Sequence, residues 1–552
     1  MKNKIIFKLM IFGSILCGSV LNAQNVTFAD PAFKNYLLEN STLLLDGTYG
    51  FIDADGDGEI NILEAENVGQ LEIYDQSPAL IVDLTGIEAF TNLYVLGIYD
   101  VGVTSLNISN LTNLDELNFN NCMALSSINL SSTANLRTFS AFNCSFSTID
   151  FTSSTTLEIV SIGNCDLLTS INLSGLTLLT YVSIYDLDLL NNLNLLNTPI
   201  LYSFSMGNCN AITGLDIQNH DYLTQFSCIS NNVLQNVNVS GCSNLQSLDI
   251  QNNALTDLNL TGNTALRYLN ASNNQLATID LSTLVNLYII EISNNQLTFL
   301  DFSAVQNLSE IKANNNPLTA INYGTSTYIY KIGFKDTNFT TFDTTNLGLN
   351  YLAHLKISGP NLLNINIINA PRIYSIEIKN APVLTSAVIL NNYISVYLIN
   401  SSVSLILEDA PNLLYICTHF RNVENFRNSV LWGSGIVNPN CIVNSYCEPF
   451  SLATIQNTIP ETNPVGMILK IQEITPNTTS TIGYTINGGT VQYFTDVESD
   501  YYGRATVTYP ATAINGQVLN LVSIARTDIA GQPTYSTSSN SLIFNEIGRA
   551  HV

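Results

Sequence analysis

The chain has 552 residues, 46% of them hydrophobic and only 11% charged, with a formal net charge of −25. That length exceeds one ordinary compact core, so several domains or a repeat array are expected. The acidic balance excludes phosphate-backbone binding as the main task, and past the N-terminus no apolar run reaches the ~18 residues of a membrane span.

Residues 1–23 read as an export signal. Lys2, Lys4 and Lys8 precede or break into the apolar stretch Ile5–Leu21, and cleavage is expected after Ala23. Retention as an uncleaved anchor is one alternative. Lipidation at Cys17 is another, weakened by bulky Leu16 where a small residue is wanted. Removal takes away three lysines and no carboxylate, moving the charge from −25 to −28. That charge keeps an apolar-rich surface soluble.

Residues 24–70 are expected to form a helical N-terminal cap. Asp30-Pro31 opens a helix over 32-AFKNYLLEN-40, and 62-ILEAENV-68 supplies a second. Between them, 53-DADGDGEINILE-64 puts Asp53, Asp55, Asp57, Gly58, Glu59, Asn61 and Glu64 at positions 1, 3, 5, 6, 7, 9 and 12 of an EF-hand calcium loop. Ca²⁺ takes six to eight oxygens, the turn needs a glycine, and a terminal glutamate can bind through both oxygens. Glu59 would contribute its backbone carbonyl. The competing reading is an acidic solvated turn. Calcium switches usually pair such loops, so a single loop is read as structural, tying down a segment that covers the first coil of a repeat array.

That array has a period of 21 to 22 residues. Aligned on 245-LQSLDIQNNALTDLNLTGNTA-265, apolar residues recur at places 1, 4, 6, 11, 14 and 16, with Asn at place 9. The frame starts at Leu93, Leu114, Leu136, Leu157, Leu179, Leu201, Leu223, Leu245, Leu266, Leu287, Leu308, Ile329, Leu352, Ile373 and Ile394. Partial units are placed at Leu71 and Leu413. The pattern L-x-x-L-x-L-x-x-N/C-x-L resembles the leucine-rich repeat family over residues ~71–430. With the acidic loop before 84-LTGIEAFTNL-93, the front end resembles the cap of internalin-like bacterial surface proteins. The resemblance implies an α/β-type, predominantly β solenoid: a right-handed superhelix of short parallel strands. Places 3 to 7 form the strand, with places 4 and 6 inward, and strands stack about 4.8 Å apart. At place 9, Asn231, Asn253, Asn274, Asn295 and Asn316 would donate to interior carbonyls freed where the strand turns away.

Cys122, Cys144, Cys165 and Cys209 occupy place 9 as weaker thiol donors, and Cys228 is core at place 6. Stacked coils hold such cysteines farther apart than a disulfide prefers, so they are read as buried thiols rather than disulfides or metal ligands. A disulfide among Cys417, Cys441 and Cys447 is weighed evenly against thiols.

Places 3, 5, 7 and 8 face solvent on the inner, concave curve. Most are small and uncharged, but Tyr99, Phe142, Tyr181, Tyr185 and Tyr268 present rings. Such rings suit a protein hot spot or a sugar-stacking surface; ordinary strand propensity explains them equally. Lys312, Lys331, Lys335, Lys356 and Lys379, with His354 beside them, fall on the same face, although residues 24–548 hold only fourteen Lys and Arg. They hint at an anionic ligand. The alternative is cross-strand pairing with Glu310 and Glu377.

The stretch from 413 to 447 reads as a closing cap, resembling that of leucine-rich repeat proteins from type IX secreting bacteria. Residues 448–546 alternate strands with turn residues, as in 482-IGYTI-486 and 490-TVQYFTDV-497 around Asn487-Gly488-Gly489, and are expected to form a small immunoglobulin-like β-sandwich. The final 547-IGRAHV-552 breaks style and matches one reading frame of a sequencing adapter, so it is set aside, with the natural chain expected to continue.

Only His220, His354 and His419 remain as histidines before that tail, and no nucleophile elbow, zinc signature or phosphate loop is present. An open curve is also a poor place to exclude water. The expectation is a non-catalytic, monomeric recognition protein, secreted or on the outer cell surface, with one structural Ca²⁺ and a protein partner on the concave face. It has no nucleic-acid partner and no transmembrane span once the signal is removed. A module binding an acidic glycan and a structural stalk are the alternatives.

Overall fold

The computed structural model describes residues 24–74, 81–324, 328–345, 347–368, 370–390, 403–418, 426, 441–444, 456–458, 467–471, 479–500, 505–509, 518–527 and 535–543. The expected signal, the coil start at Ile394, His419, Cys447 and the last six residues lie outside them. The chain divides into two compact units after Pro199.

The first unit opens with helix α1 (Pro31–Glu39), whose N-cap Asp30 accepts from the Ala32 amide at 2.8 Å. Its apolar face, Phe33 and Leu37, is buried. A hairpin then appears that the helical reading lacks: β1 (Ser41–Leu44) and β2 (Tyr49–Phe51) pair antiparallel around Asp46-Gly47, with Gly47 at φ 84°. The calcium-type loop comes next, then α2 (Ile62–Glu66) and β3 (Val68–Tyr74). β3 carries β1 antiparallel on one edge and Val95–Tyr99 in parallel on the other. The hairpin therefore closes the edge that the first coil would expose. Gln70 stands opposite Val95, the third place of its coil, so the first unit begins at Val68 rather than Leu71.

Strands Glu116–Asn120, Thr138–Phe142, Ile159–Gly163 and Tyr181–Tyr185 continue the ladder, all parallel. Leu96, Leu117, Phe139, Val160 and Val182 align at place 4, each essentially without exposure. No coil could bury that row alone; the stack supplies the core.

In the second unit, parallel strands run from Ser203–Gly207 to Ser404–Leu407. Place 9 behaves as its chemistry requires: Asn274 Nδ2 donates to the carbonyls of Ile250, Ala271 and Ser272 at 2.9–3.3 Å, and Asn253, Asn295 and Asn316 repeat the pattern. At place 8 the backbone is left-handed, with φ of 53–58° at Asn252, Asn273, Asn294, Asn315 and Asp336. That is a second reason for the Asn-rich corner, since Asn and Asp tolerate this region better than most residues. From Thr341 a second parallel sheet runs alongside: Thr341–Asp343, Asn364–Ile368, Ser386–Leu390, Tyr415–Thr418 and Ile442–Asn444. Its strands alternate apolar and polar, as in 364-NINII-368.

Ser404 stands opposite Ser375, the third place of its coil, which puts the next coil start at residue 402. The frames placed at Ile394 and Leu413 are thus displaced, and the repeat persists into the stretch read as a closing cap. Beyond it are two antiparallel sheets. One orders Gln456–Thr458, Met467–Ile471 and Ala505–Tyr509; the other orders Gln492–Glu498, Thr479–Ile486, Val518–Arg526 and Tyr535–Ile543. The Asn487-Gly488 turn has the positive φ pair of a tight hairpin, 50° and 71°.

The place-9 cysteines are buried. Cys122, Cys144 and Cys165 carry thiols that donate to backbone carbonyls, Cys144 to Phe142 at 3.3 Å and Cys165 to Gly163 at 3.4 Å, and the neighbouring sulfurs of Cys122 and Cys165 hold the Cys144 thiol far above its ordinary pKa. Cys122 also donates to the Ile98 carbonyl at 3.4 Å. Cys417 is disulfide-bonded, whereas Cys441 is a buried thiol whose pKa burial pushes up to about 12.

Candidate functional site

In the front-end loop, one oxygen from each of Asp53, Asp55 and Asp57 lies within 4.8 Å of the others. The backbone wraps Asp53: Gly56 and Gly58 donate to it at 2.7 and 2.9 Å, and the Gly58 amide above all lowers its carboxyl pKa. Gly56 and Gly58 sit at φ 75° and 83°, which the turn needs. Glu59 turns its side chain out to Lys34 at 2.6 Å, leaving only its carbonyl for the loop. Asn61 caps α2. Glu64 takes the Asn61 amide through Oε2 and the Ala54 amide through Oε1, both at 2.9 Å. Each carboxylate oxygen keeps further lone-pair capacity. Hard oxygen donors on a glycine-turned loop fit a calcium ion. Asp53, Asp55 and Asp57 converge, while Glu64 stands outside that cluster.

On the strand face of the first unit, Tyr99 stacks on Tyr74, centroids 4.4 Å apart at 6°. Tyr99 lies back across Gly97, where an added Cβ would come within 2.6 Å of its ring, and Phe142 lies likewise over Gly163 at 2.7 Å. Tyr181 is 38% exposed and Tyr185 half-buried. Register aligns Tyr99, Asn120, Phe142, Gly163 and Tyr185 at place 7, and Gly97, Asn118, Ser140, Ser161 and Ser183 at place 5.

On the strand face of the second unit, Tyr268 is half-buried, and all five lysines are ion-paired. Lys312 meets Glu291 at 2.5 Å and Lys331 meets Glu310 at 2.6 Å. Glu377 gathers Lys335 at 2.6 Å, Lys356 at 2.9 Å and Lys379 at 3.5 Å, and Lys379 also reaches Glu408. Burial pushes the Glu377 carboxyl up, but Lys335 and Lys356 outweigh it and hold it at about 2. His354 is held below its usual value by burial and by Lys331 and Lys356. The lysine row is thus an ion-paired lattice of five lysines and four glutamates.

One arrangement escapes a reading confined to places 3, 5, 7 and 8. Place 2 and the residue before place 1 carry exposed tyrosines: Tyr288, Tyr328, Tyr330, Tyr351 and Tyr374, exposed by 37–55%. Tyr328 and Tyr351 pack at 5.4 Å, and the Arg372 guanidinium lies 4.2 Å from the Tyr351 ring centroid. The signal was in the sequence as tyrosines at coil spacing.

No protein-family profile matches the chain, and no curated protein matches it. Among solved structures it is similar to the functional domain of InlJ from Listeria monocytogenes, which includes a cysteine ladder, at 18% identity and a TM-score of 0.39 over 87% of this chain and 93% of that one. It is also similar to the internalin InlF from Listeria monocytogenes, at 20% identity and 0.38 over 58% and 89%. A third is a leucine-rich repeat protein from Bacteroides eggerthii, at 13% and 0.38 over 64% and 69%. By its own repeat and parallel register, the chain is a leucine-rich repeat solenoid.

Proposed function

We propose that the chain is an exported, non-catalytic recognition protein that holds a protein partner on the strand face of its repeats, with one structural Ca²⁺ in the front-end loop. The observation that carries this is the register of the first unit, which lines up equivalent side chains of five coils into rows of small polar groups edged by Tyr99, Phe142, Tyr181 and Tyr185. Such a surface is pre-ordered, so little entropy is lost on binding, and aromatic rings amid amides and hydroxyls are typical anchors. Among the described residues no helix is long and apolar enough to cross a membrane. The pairing of every strand-face lysine removes the main argument for an acidic glycan there. The partition of the C-terminal strands, first, second and fifth against fourth, third, sixth and seventh, supports an immunoglobulin-like sandwich.

A photo-crosslinking residue at Ser140 or Ser183, compared with one at the outer-turn positions Ser131 or Ser174, tests the face. Capture of one partner from the strand positions alone is expected on incubation with intact cells and matrix. Equal capture from both sides, or none, overturns the reading.

A further inference from the structure

The tyrosines at place 2 form a row with a specific rhythm. Backbone hydrogen bonds link Tyr288 to Ser309, Ser309 to Tyr330, Tyr330 to Ala353 and Ala353 to Tyr374, so large and small residues alternate along the stack. Each small residue opens a notch between two tyrosines two ladder steps apart, roughly 10 Å. The notch over Ala353 is filled. His354 sits between its walls, 5.2 Å from the Tyr330 ring and 4.4 Å from the Tyr374 ring, and its Nε2 bonds both hydroxyls. The notch over Ser309 is open. It encloses about 620 Å³ and is lined by Tyr288, Asn307, Ser309, Tyr328, Tyr330 and Tyr351.

We propose that this open notch binds a neutral pyranose unit of a polysaccharide. Walls roughly 10 Å apart admit one sugar ring seated between tyrosines, and the notch leaves room for the chain to continue on either side. A pyranose offers an apolar C–H face, which the negative face of an aromatic ring attracts, and a rim of hydroxyls. The notch answers both needs, with four phenol rings for walls and one amide and one hydroxyl on its floor. None of the six lining residues carries a charge at neutral pH. The charges beside it stand outside the lining: Glu310 pairs with Lys331, Arg372 lies over the outer ring of Tyr351, and Arg267 precedes Tyr288 in the row. A neutral ligand needs no counter-charge from these six residues, whereas an acidic one finds no cation among them. This site stands independently of the strand-face reading, since it lies beside the strands and uses none of those residues.

Affinity electrophoresis of the full chain through gels holding barley β-glucan, xylan, mannan or starch tests it, with hyaluronate and polyproline as further arms. Retardation by at least one neutral polysaccharide is expected. The pair Tyr288→Ala and Tyr330→Ala should weaken it about tenfold or more, in line with the loss of two stacking platforms. Ser309→Tyr, which plugs the notch from its half-buried floor, should abolish it. Tyr222→Ala, an exposed tyrosine elsewhere in the unit, should leave it unaltered. No retardation in any neutral gel overturns the proposal. So does retardation indifferent to both notch variants, or binding confined to hyaluronate or to polyproline.

Discussion

The side-chain oxygen of Asn295 accepts the backbone N–H of Leu276, nineteen residues earlier, at 3.0 Å. Its Nδ2 meanwhile donates to the carbonyls of Ala271, Ile292 and Ser293 at 2.9–3.3 Å. One amide thus ties two coils at a place where water has no access. Asn295→Ala strands those groups and should cost about 2–4 kcal/mol, as unsatisfied buried polar groups do. Asn295→Cys should cost less, because a thiol at the equivalent place of earlier coils still donates to a carbonyl. Urea denaturation of the two variants checks the order; equal midpoints would refute it.

Asn273 at place 8 has φ 57° and accepts the Asn294 amide at 2.7 Å. Asn273→Val forces a branched side chain into left-handed backbone and should destabilise by about 1–3 kcal/mol. Asn273→Gly relieves the backbone, loses only an exposed hydrogen bond, and should fall within about 1 kcal/mol of wild type. A melting temperature lower for the glycine variant than for the valine variant contradicts the argument.

The period, the buried places and the place-9 asparagines were legible because each is a side-chain requirement imposed by the coil interior. Frames anchored on leucine alone slipped at the two ends, at Leu71 and Ile394, because only strand pairing shows that Gln70 opposes Val95 and Ser404 opposes Ser375. The β1–β2 hairpin was signalled by Asp46-Gly47 between apolar residues but hidden by the helical reading on either side. The lysines stood out by their rarity. Their partners Glu291 and Glu408 lie on neighbouring coils, 21 and 29 residues away from Lys312 and Lys379, where sequence adjacency says nothing. The tyrosine notch is a feature of the folded stack, because its shape depends on Ser309 being small and on His354 filling the next gap.

Glu377 is shared by three lysines and its carboxyl is held at about 2. A depressed carboxylate stabilises the fold above its unfolded pKa near 4.5, and that contribution is lost as pH falls from there toward 2. With the lysines partly solvated, the loss is about 1–3 kcal/mol. Glu377→Gln should lower stability at pH 7 by a similar amount and flatten this acid limb. Denaturation midpoints at pH 7, 4.5 and 3 test it; an acid limb as steep in the variant as in wild type counts against the lysine lattice.

Asp53, Asp55 and Asp57 repel one another unless a cation sits among them, and the Gly58 amide keeps Asp53 ionised. The same loop positions α2, and Asn61 bridges back to Asn25 at the start of the cap. Calcium should therefore raise the melting temperature of the first unit, and EDTA should lower it. At calcium a hundredfold above its dissociation constant, the gain is about 2.7 kcal/mol. Asp55→Ala should abolish the calcium response while leaving the metal-free melting temperature equal or higher, since one repelling charge is gone. Crosslinked partner identity should not change between calcium and EDTA, because the acidic loop lies in the cap and not on the strand face. A melting curve indifferent to both calcium and EDTA leaves the loop as a solvated acidic turn.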